Sequence, residues 1–169
     1  MGKKHIVVQP YDESWSADFE KIKAEISAAL GGVAVAIKHV GSTSVKGLAA
    51  KPIIDLDVVV KDVEVPKAIE QLAKIGYIHE GNLGIEGREA FHYNGKEHLK
   101  QHHLYVCPES SPELKRHTAF RDYLRSHKDA VQEYSAIKIE AAKLFSDDID
   151  SYIAHKSPVI EKLYKEIGL

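Results

Sequence analysis

The stretch that decides the fold is residues 53–60, which read IIDLDVVV. A strand that is apolar on both faces is typical of the centre of a sheet with helices on each side. The two exceptions, Asp55 and Asp57, are two positions apart, so both carboxylates leave the same face of the strand. Because an unpaired carboxylate in apolar surroundings is costly, the two acids need a partner. A divalent cation meets that need, and a Lys or Arg from across the sheet is the alternative.

The segment before this strand has the features of a phosphate-binding turn. Residues 33–40 predict another strand, and residues 41–52 follow it with the sequence GSTSVKGLAAKP. Glycine lets a backbone approach a phosphate closely, and hydroxyl and N–H groups can donate hydrogen bonds to it. We therefore expect phosphate binding by Gly41, Ser42, Ser44 and Lys51. Asp55 and Asp57 would hold Mg²⁺ or Mn²⁺, which prefer carboxylate oxygens.

The rest of the first 107 residues alternates between strand and helix signals. Residues 5–9 predict a short strand that Pro10 ends. Asp12 is a candidate cap for a helix with an apolar stripe at Trp15, Phe19, Ile22, Ile26 and Leu30. Residues 65–75 predict a second helix and residues 77–79 a strand. Residues 89–93 and 98–106 predict an antiparallel pair around a turn at Asn94-Gly95.

The remainder of the chain predicts helices. Ser110 or Ser111 can cap a helix that runs to residue 127, and residues 130–144 carry the stripe of the next. Asp147 or Asp148 can cap another, and Ser157-Pro158 predicts the start of a new short helix. We expect one α+β domain over residues 1–169, with a sheet core at about 5–107 and helices at about 110–167.

Composition excludes several classes of protein. The chain has 169 residues, a formal net charge of −2 and one cysteine, Cys107. Duplex nucleic acid is not an expected partner because that function needs a strongly basic surface. No run approaches the ~20 apolar residues of a membrane span, and no secretory segment is recognised at the start. We expect a cytoplasmic protein whose partner is a nucleotide or another phosphate-bearing small molecule.

The spacing from the Gly-Ser turn to the paired aspartates resembles the signature of the nucleotidyltransferase superfamily. More closely, four blocks resemble the GrpB family: HVGSTSV at 39–45, KPIIDLD at 51–57, HHLYV at 102–106 and FRDYLR at 120–125. That family is also similar to a domain fused to some bacterial dephospho-CoA kinases. The resemblance implies a mixed sheet with the polymerase-β-like nucleotidyltransferase fold. It also favours Arg121 as a phosphate ligand, with Arg88, Arg125 and Lys138 as further basic candidates.

The resemblance also shows where this chain departs from nucleotidyltransferases, which place a third carboxylate on a neighbouring strand. Residues 98–106 contain no Asp or Glu, and His103 and Tyr105 share one face there. If His103 replaces the third acid, the site gains a nitrogen ligand or a general base, and Zn²⁺ becomes possible. His39 lies near the end of the preceding strand. For this residue we weigh a role in the site and a structural hydrogen bond equally.

Three functions follow as hypotheses. The first is a metal-dependent nucleotidyltransferase that transfers a nucleoside monophosphate to an unknown acceptor, with Asp55, Asp57 and His103 in the catalytic and metal-binding roles. The second is a non-catalytic module that binds a nucleotide or a coenzyme A-like ligand in a degenerate site. The third is a metal-dependent phosphoesterase.

Overall fold

A five-stranded mixed sheet organises the chain in the computed structural model, which describes residues 5–169. The strands are β1 (Ala34–Val40), β2 (Ile54–Val60), β3 (Ile78–Gly81), β4 (Glu89–His92) and β5 (His102–Pro108). Their order across the sheet is β1-β2-β5-β4-β3. Only the β2–β5 pair is parallel, and the other neighbours are antiparallel. The predicted central position of the strand with the two aspartates is confirmed.

Five α-helices accompany the sheet in the described part of the chain. They are α1 (Ser14–Leu30), α2 (Val65–Ala73), α3 (Pro112–Ser126), α4 (Lys128–Leu144) and α5 (Ile149–Ile167). The predicted caps are confirmed for α3 and α5, where Ser111 accepts the N–H of Leu114 and Asp148 accepts the N–H of Ser151. None of these helices has the length and apolar character needed to cross a membrane.

The alternation of side chains along β2 gives the sheet two different faces. Ile54, Leu56, Val58 and Val60 join the main core, where the predicted stripe of α1 is buried against them. Each fully buried aliphatic side chain of this kind contributes roughly 1.5–3 kcal/mol. The opposite face carries Asp55, Asp57 and Val59. There Val59 packs with Cys107 of β5 and Leu114 of α3, so α3 covers this second face.

The three C-terminal helices build a separate apolar cluster around the segment that follows β1. Val45 and Leu48 of that segment are buried against Leu124, Val131 and Leu163 from the three helices. Arg125 of α3 also donates two hydrogen bonds to the Ser44 carbonyl, at 3.1 and 2.9 Å. The Gly-Ser turn is therefore fixed from outside the sheet.

The predicted strand at residues 5–9 is wrong. Of residues 5–9, only Gln9 makes a bridge, to Ala50, and residues 5–8 have no ladder. Pro10 has no N–H to donate, so the pairing cannot extend beyond Gln9.

The predicted antiparallel pairing of β4 with β5 is confirmed, but the predicted tight turn at Asn94-Gly95 is replaced by a longer connection. The strands end at His92 and resume at His102, with residues 93–101 between them. Gly95 has φ +70°, whereas Asn94 is not among the described residues with positive φ, as a type I′ turn would require. The connection is held instead by α1, because His98 Nε2 lies 2.6 Å from Glu25 Oε1.

The predicted helix start at Ser157-Pro158 is also wrong, because Pro158 lies inside α5. A proline in a helix interior costs about 3 kcal/mol through a lost hydrogen bond and a steric clash. Tyr152 and Leu163, which are buried on either side of it, hold the helix in one piece. Pro158 itself is exposed.

Candidate functional site

Asp55 lies at the junction of three segments. The strand register places it opposite Val40 of β1 and His103 of β5. His103 Nδ1 lies 3.0 Å from Asp55 Oδ1 and donates to it, since an ionised carboxylate only accepts. The hydrogen bond to Asp55 is the main reason that the pKa of His103 is raised above its ordinary value.

The Asp55 carboxylate lies so close to Gly41 that no larger residue fits at position 41. A Cβ added to Gly41 would lie 2.3 Å from Asp55 Oδ2, and the backbone has φ +74° and ψ −176°. Only glycine adopts that combination readily. The sequence predicted that this glycine permits a close approach, and the group that approaches it here is the Asp55 side chain.

Asp57 is completely buried and is paired with a residue of α3. His117 Nδ1 lies 2.7 Å from Asp57 Oδ2, and His117 Nε2 lies 3.0 Å from Glu113 Oε1. With a carboxylate accepting at each ring nitrogen, both nitrogens must donate, which requires the imidazolium form. Burial is the largest single influence and lowers the pKa of His117. The hydrogen bond to Asp57 and the charges of Asp57 and Glu113 together outweigh it, so this pKa is raised.

The other oxygen of Asp57 has no partner in the described part of the chain. Asp57 Oδ1 is buried and makes no hydrogen bond within residues 5–169. A buried, unsatisfied acceptor costs roughly 1–3 kcal/mol, and more when it is charged. This orphaned oxygen, on the same strand face as Asp55, fits a ligand position for a divalent cation.

A small cavity on one side of Asp55 is lined by basic groups, and we call it the lysine cavity. Its volume is about 190 Å³, and its wall includes Ser42, Lys51, Asp55, His103, Lys138 and Lys156. Lys138 is buried and donates to the Ser42 hydroxyl and, at 3.1 Å, to the Ala49 carbonyl. Such a cluster of like charges is costly without an anion.

The pKa values of these lysines are lowered mainly by burial and secondly, for Lys138 and Lys156, by the neighbouring lysine charges. Burial, with the charge of Lys156 second, lowers the pKa of Lys138 to about 7. Burial and the charge of Lys51 lower the pKa of Lys156 to about 8. Burial also lowers the pKa of Lys51. An anion in the cavity would favour the charged form of all three.

A second cavity lies on the other side of Asp55, and we call it the arginine cavity. Its volume is about 260 Å³, and its wall includes Arg88, Tyr105, His117, Phe120, Arg121 and Tyr164. Ser42 and Asp55 line both cavities.

The structure brings most of the predicted site residues together. Gly41, Ser42, Asp55 and Arg121 line the arginine cavity, and Ser42, Lys51, Asp55 and His103 line the lysine cavity. Asp57 lines neither. The Ser44 hydroxyl also lines neither, because it donates to the Gly41 carbonyl at 2.5 Å.

The other candidate histidines lie elsewhere. His39 stacks on Phe19 at 4.6 Å, and its Nε2 lies 2.9 Å from Thr43 Oγ1, so it has a structural role on the α1 face. His102 is buried on the same face, with its Nε2 2.8 Å from the Tyr77 hydroxyl. His103 alone of the group at 92–103 lines a cavity beside Asp55.

Sequence reasoning missed His117. Its spacing of four from Glu113 on a helix was visible, but no local pattern places α3 over β2. Across the residues described, no set of three or more His, Cys, Asp or Glu side chains is arranged to hold a metal. A cation at Asp55 and Asp57 would therefore take its remaining ligands from water or substrate, as Mg²⁺ commonly does.

The order of the sheet and the paired aspartates beside a Gly-Ser turn define the nucleotidyltransferase fold of the polymerase-β type. Cid1, solved in complex with its short product ApU, has a TM-score of 0.55 to this chain at 12% identity. The match covers 78% of this chain and 40% of Cid1. It supports the predicted α+β fold class.

The chain belongs to the GrpB family, whose model, described as GrpB protein, matches residues 5–166. The crystal structure of GrpB from Enterococcus faecalis is 33% identical, with a TM-score of 0.82 over 95% of this chain and 96% of that one. YqkA of Bacillus subtilis is 36% identical over 160 residues, which are 94% of this chain but only 46% of YqkA. A dephospho-CoA kinase of Mycolicibacterium paratuberculosis is 25% identical, over 92% of this chain and 44% of that protein.

Proposed function

We propose that this protein is a metal-dependent nucleotidyltransferase that transfers a nucleoside monophosphate to an acceptor. The observation that carries the proposal is the packing of the Asp55 carboxylate against Gly41, with Ser42 and three lysines on the far side. A nucleoside triphosphate needs this combination of a cation site and a basic phosphate cradle side by side.

Ser42, Lys51, Lys138 and Lys156 would hold the β- and γ-phosphates. The Lys138 ammonium already donates to the Ser42 hydroxyl, so a phosphate oxygen entering the cavity would meet both groups. Burial, with the charge of a neighbouring lysine second, lowers the pKa of Lys138 and Lys156, and a polyphosphate would favour the charged form of both. Arg121, the fifth predicted phosphate ligand of the site, lines the neighbouring cavity and would bind a different part of the substrates.

Asp55 and the unpartnered Oδ1 of Asp57 would hold Mg²⁺ or Mn²⁺. When bound, a divalent cation neutralises phosphate charge and aligns the attacking and leaving oxygens. Zn²⁺ is the alternative if His103 supplies a nitrogen ligand.

His103 is our candidate for the general base. Its Nδ1–H is held by Asp55, which leaves Nε2 as the acceptor for the proton of an attacking hydroxyl. The raised pKa of His103 brings it closer to neutral pH, where a base of this kind works best.

A non-catalytic module for a nucleotide or coenzyme A-like ligand is the second candidate. It is favoured by β5, where the residues opposite Asp55 and Asp57 are His103 and Tyr105 instead of carboxylates. The similarity to a protein named dephospho-CoA kinase supports the same candidate. No observation favours a phosphoesterase.

The two candidates separate in one experiment. Each nucleoside triphosphate is tested with Mg²⁺ or Mn²⁺ for an increase in melting temperature, and release of pyrophosphate is then followed with a small-molecule cell extract as the source of acceptors. We expect metal-dependent binding that Asp55→Asn weakens at least ~10-fold, as loss of a metal-site residue does. Asp18→Asn on α1 is the matched control, because it lies on the opposite side of the sheet.

Pyrophosphate release that Asp55→Asn abolishes would support the transferase. Binding without release would support the module. If no triphosphate binds in a metal-dependent manner, the transferase is contradicted, and thermal shifts with coenzyme A then test the module.

A further inference from the structure

The arginine cavity contains a cationic group that the proposed triphosphate site does not use. Arg88 immediately precedes β4, and its guanidinium lies 4.5 Å from the centre of the Tyr105 ring. Its Nε is buried and makes no hydrogen bond to any residue from 5 to 169. A buried guanidinium N–H without an acceptor is unfavourable, because desolvation of a charged donor is not compensated.

A second guanidinium points to the same ligand chemistry. Arg121 lines this cavity, and its Nη1 and Nε are held by the His39 carbonyl at 3.1 Å and by Asp122 at 2.9 Å. Its side chain is only 15% exposed, so it is fixed in place, whereas Arg88 Nε has no hydrogen-bond partner among the described residues. Two guanidinium groups at one small cavity match a carboxylate or a phosphate, which accept paired N–H donors.

One part of the remaining wall is aromatic, and Asp55 and His117 line another part. Phe120, Tyr134 and Tyr164 line the cavity, and the Phe120 ring centre lies 4.9 Å from Tyr164 and 5.9 Å from Tyr134. Small-molecule sites combine such apolar walls with a few placed polar groups. A volume of about 260 Å³ suits one ring with its substituents, and a net charge of −2 gives no basic track for a polynucleotide.

We infer that the arginine cavity binds a small, ring-bearing molecule through its carboxylate or phosphate group, with Arg88 as the principal ligand. The binding site stands on this geometry alone. Its assignment as the acceptor site, next to Asp55 and across from the lysine cavity, rests on the proposed function.

Calorimetric titration with simple probes tests the site. The probes are benzoate and phenyl phosphate, with benzyl alcohol as the uncharged analogue and tripolyphosphate as the probe of the lysine cavity. We expect Arg88→Met to weaken the tighter of the two ring anions ~10-fold or more, since a charge-assisted hydrogen bond is lost. Tripolyphosphate should change by less than ~2-fold. Lys156→Met is the matched control, and it should weaken tripolyphosphate while changing the affinity for the ring anion by less than ~2-fold. The anion that binds more tightly shows whether a carboxylate or a phosphate is the recognised group.

A second measurement uses the unaltered protein, in case Arg88→Met does not fold. Phenylglyoxal modifies arginine side chains, and mass spectrometry reports the extent at Arg88. The preferred ring anion should protect Arg88, whereas benzyl alcohol should not. The inference is overturned if neither anion binds or if benzyl alcohol binds equally well. It is also overturned if the bound anion does not protect Arg88 from phenylglyoxal, or if Arg88→Met leaves the affinity for the anion unchanged. If the anion binds but no nucleotide binds with a metal, the cavity is still an anion site, and only its assignment as the acceptor site is contradicted.

Discussion

The two faces of β2 have different surroundings and different chemistry. One face is closed, with Leu56 and its neighbours packed against α1 and α2. The other face presents Asp55 and Asp57 to the C-terminal helices, with one carboxylate oxygen left unpartnered. The even-numbered residues of this strand therefore stabilise the fold. Asp55 and Asp57 form a polar site that costs stability. Stability and function should respond separately to substitutions only one residue apart.

The largest effect should come from the closed face. Leu56→Ala should lower the free energy of unfolding by about 3 kcal/mol, because it removes a fully buried side chain and leaves a cavity. Asp55→Ala, one position earlier, should lower it by less than about 1 kcal/mol, since it breaks only a partly exposed pair with His103. Urea denaturation measures both, and equal losses would contradict the division between the faces.

Gly41→Ala should have the next largest effect. The new methyl group would meet Asp55 Oδ2, and the backbone conformation disfavours alanine, so we expect a loss of about 2 kcal/mol. Metal-dependent nucleotide binding should fall with it, because Asp55 must move. Gly32→Ala is the matched control, since its Cβ would meet no atom within 4 Å and its φ is not positive. A harmless Gly41→Ala substitution would show that the close approach to Asp55 is not required.

The lysine cavity should make stability depend on pH. Burial lowers the pKa of Lys138 from 10.5 to about 7 in the folded protein. Between these values the unfolded chain binds more protons, so the free energy of unfolding should rise with pH, by at most about 1.4 kcal/mol per unit. Lys138→Met should reduce this rise between pH 7 and 9 and leave the part that comes from Lys156, whose pKa is lowered to about 8. Tripolyphosphate should flatten the rise in the unaltered protein.

The exposed Lys143 on the same helix provides the control for that prediction. Lys143→Met should retain the pH dependence of the unaltered protein. If Lys138→Met retains it as well, Lys138 is charged in the folded state at neutral pH.

The smallest effect should come from Glu113, which accepts a hydrogen bond from His117 at 3.0 Å. Glu113→Gln keeps an acceptor but removes a negative charge, so the pKa of His117 should fall while stability changes by less than about 0.5 kcal/mol. Titration followed by NMR measures the His117 resonance. Glu109→Gln, an exposed neighbour before α3, should leave it unchanged.

Local patterns predicted the parts of the site that lie within one or two elements. The period of two in a strand fixes Asp55 and Asp57 on one face, and the Gly-Ser turn lies beside them because β1 pairs directly with β2. The polymerase-β-like fold was predicted from the resemblance to the GrpB family. Local patterns failed where distant packing decides the outcome.

His117 and Pro158 illustrate that failure. His117 reaches Asp57 because α3 docks over β2 through Leu114, a contact between residues far apart in sequence. Pro158 has a local preference to begin a helix, but the buried residues on either side of it keep α5 continuous. For Pro158 the free energy of tertiary packing exceeds the local preference, and for His117 tertiary packing alone determines the contact.

The wall shared by the two cavities has a kinetic consequence. Ser42 and Asp55 line both, so molecules in the two cavities would lie next to each other and affect each other's affinity by the same factor. Direct transfer between adjacent substrates needs no covalent enzyme intermediate. Initial rates measured with both substrates varied should then give intersecting double-reciprocal lines, the pattern of a ternary complex, instead of the parallel lines of a ping-pong scheme.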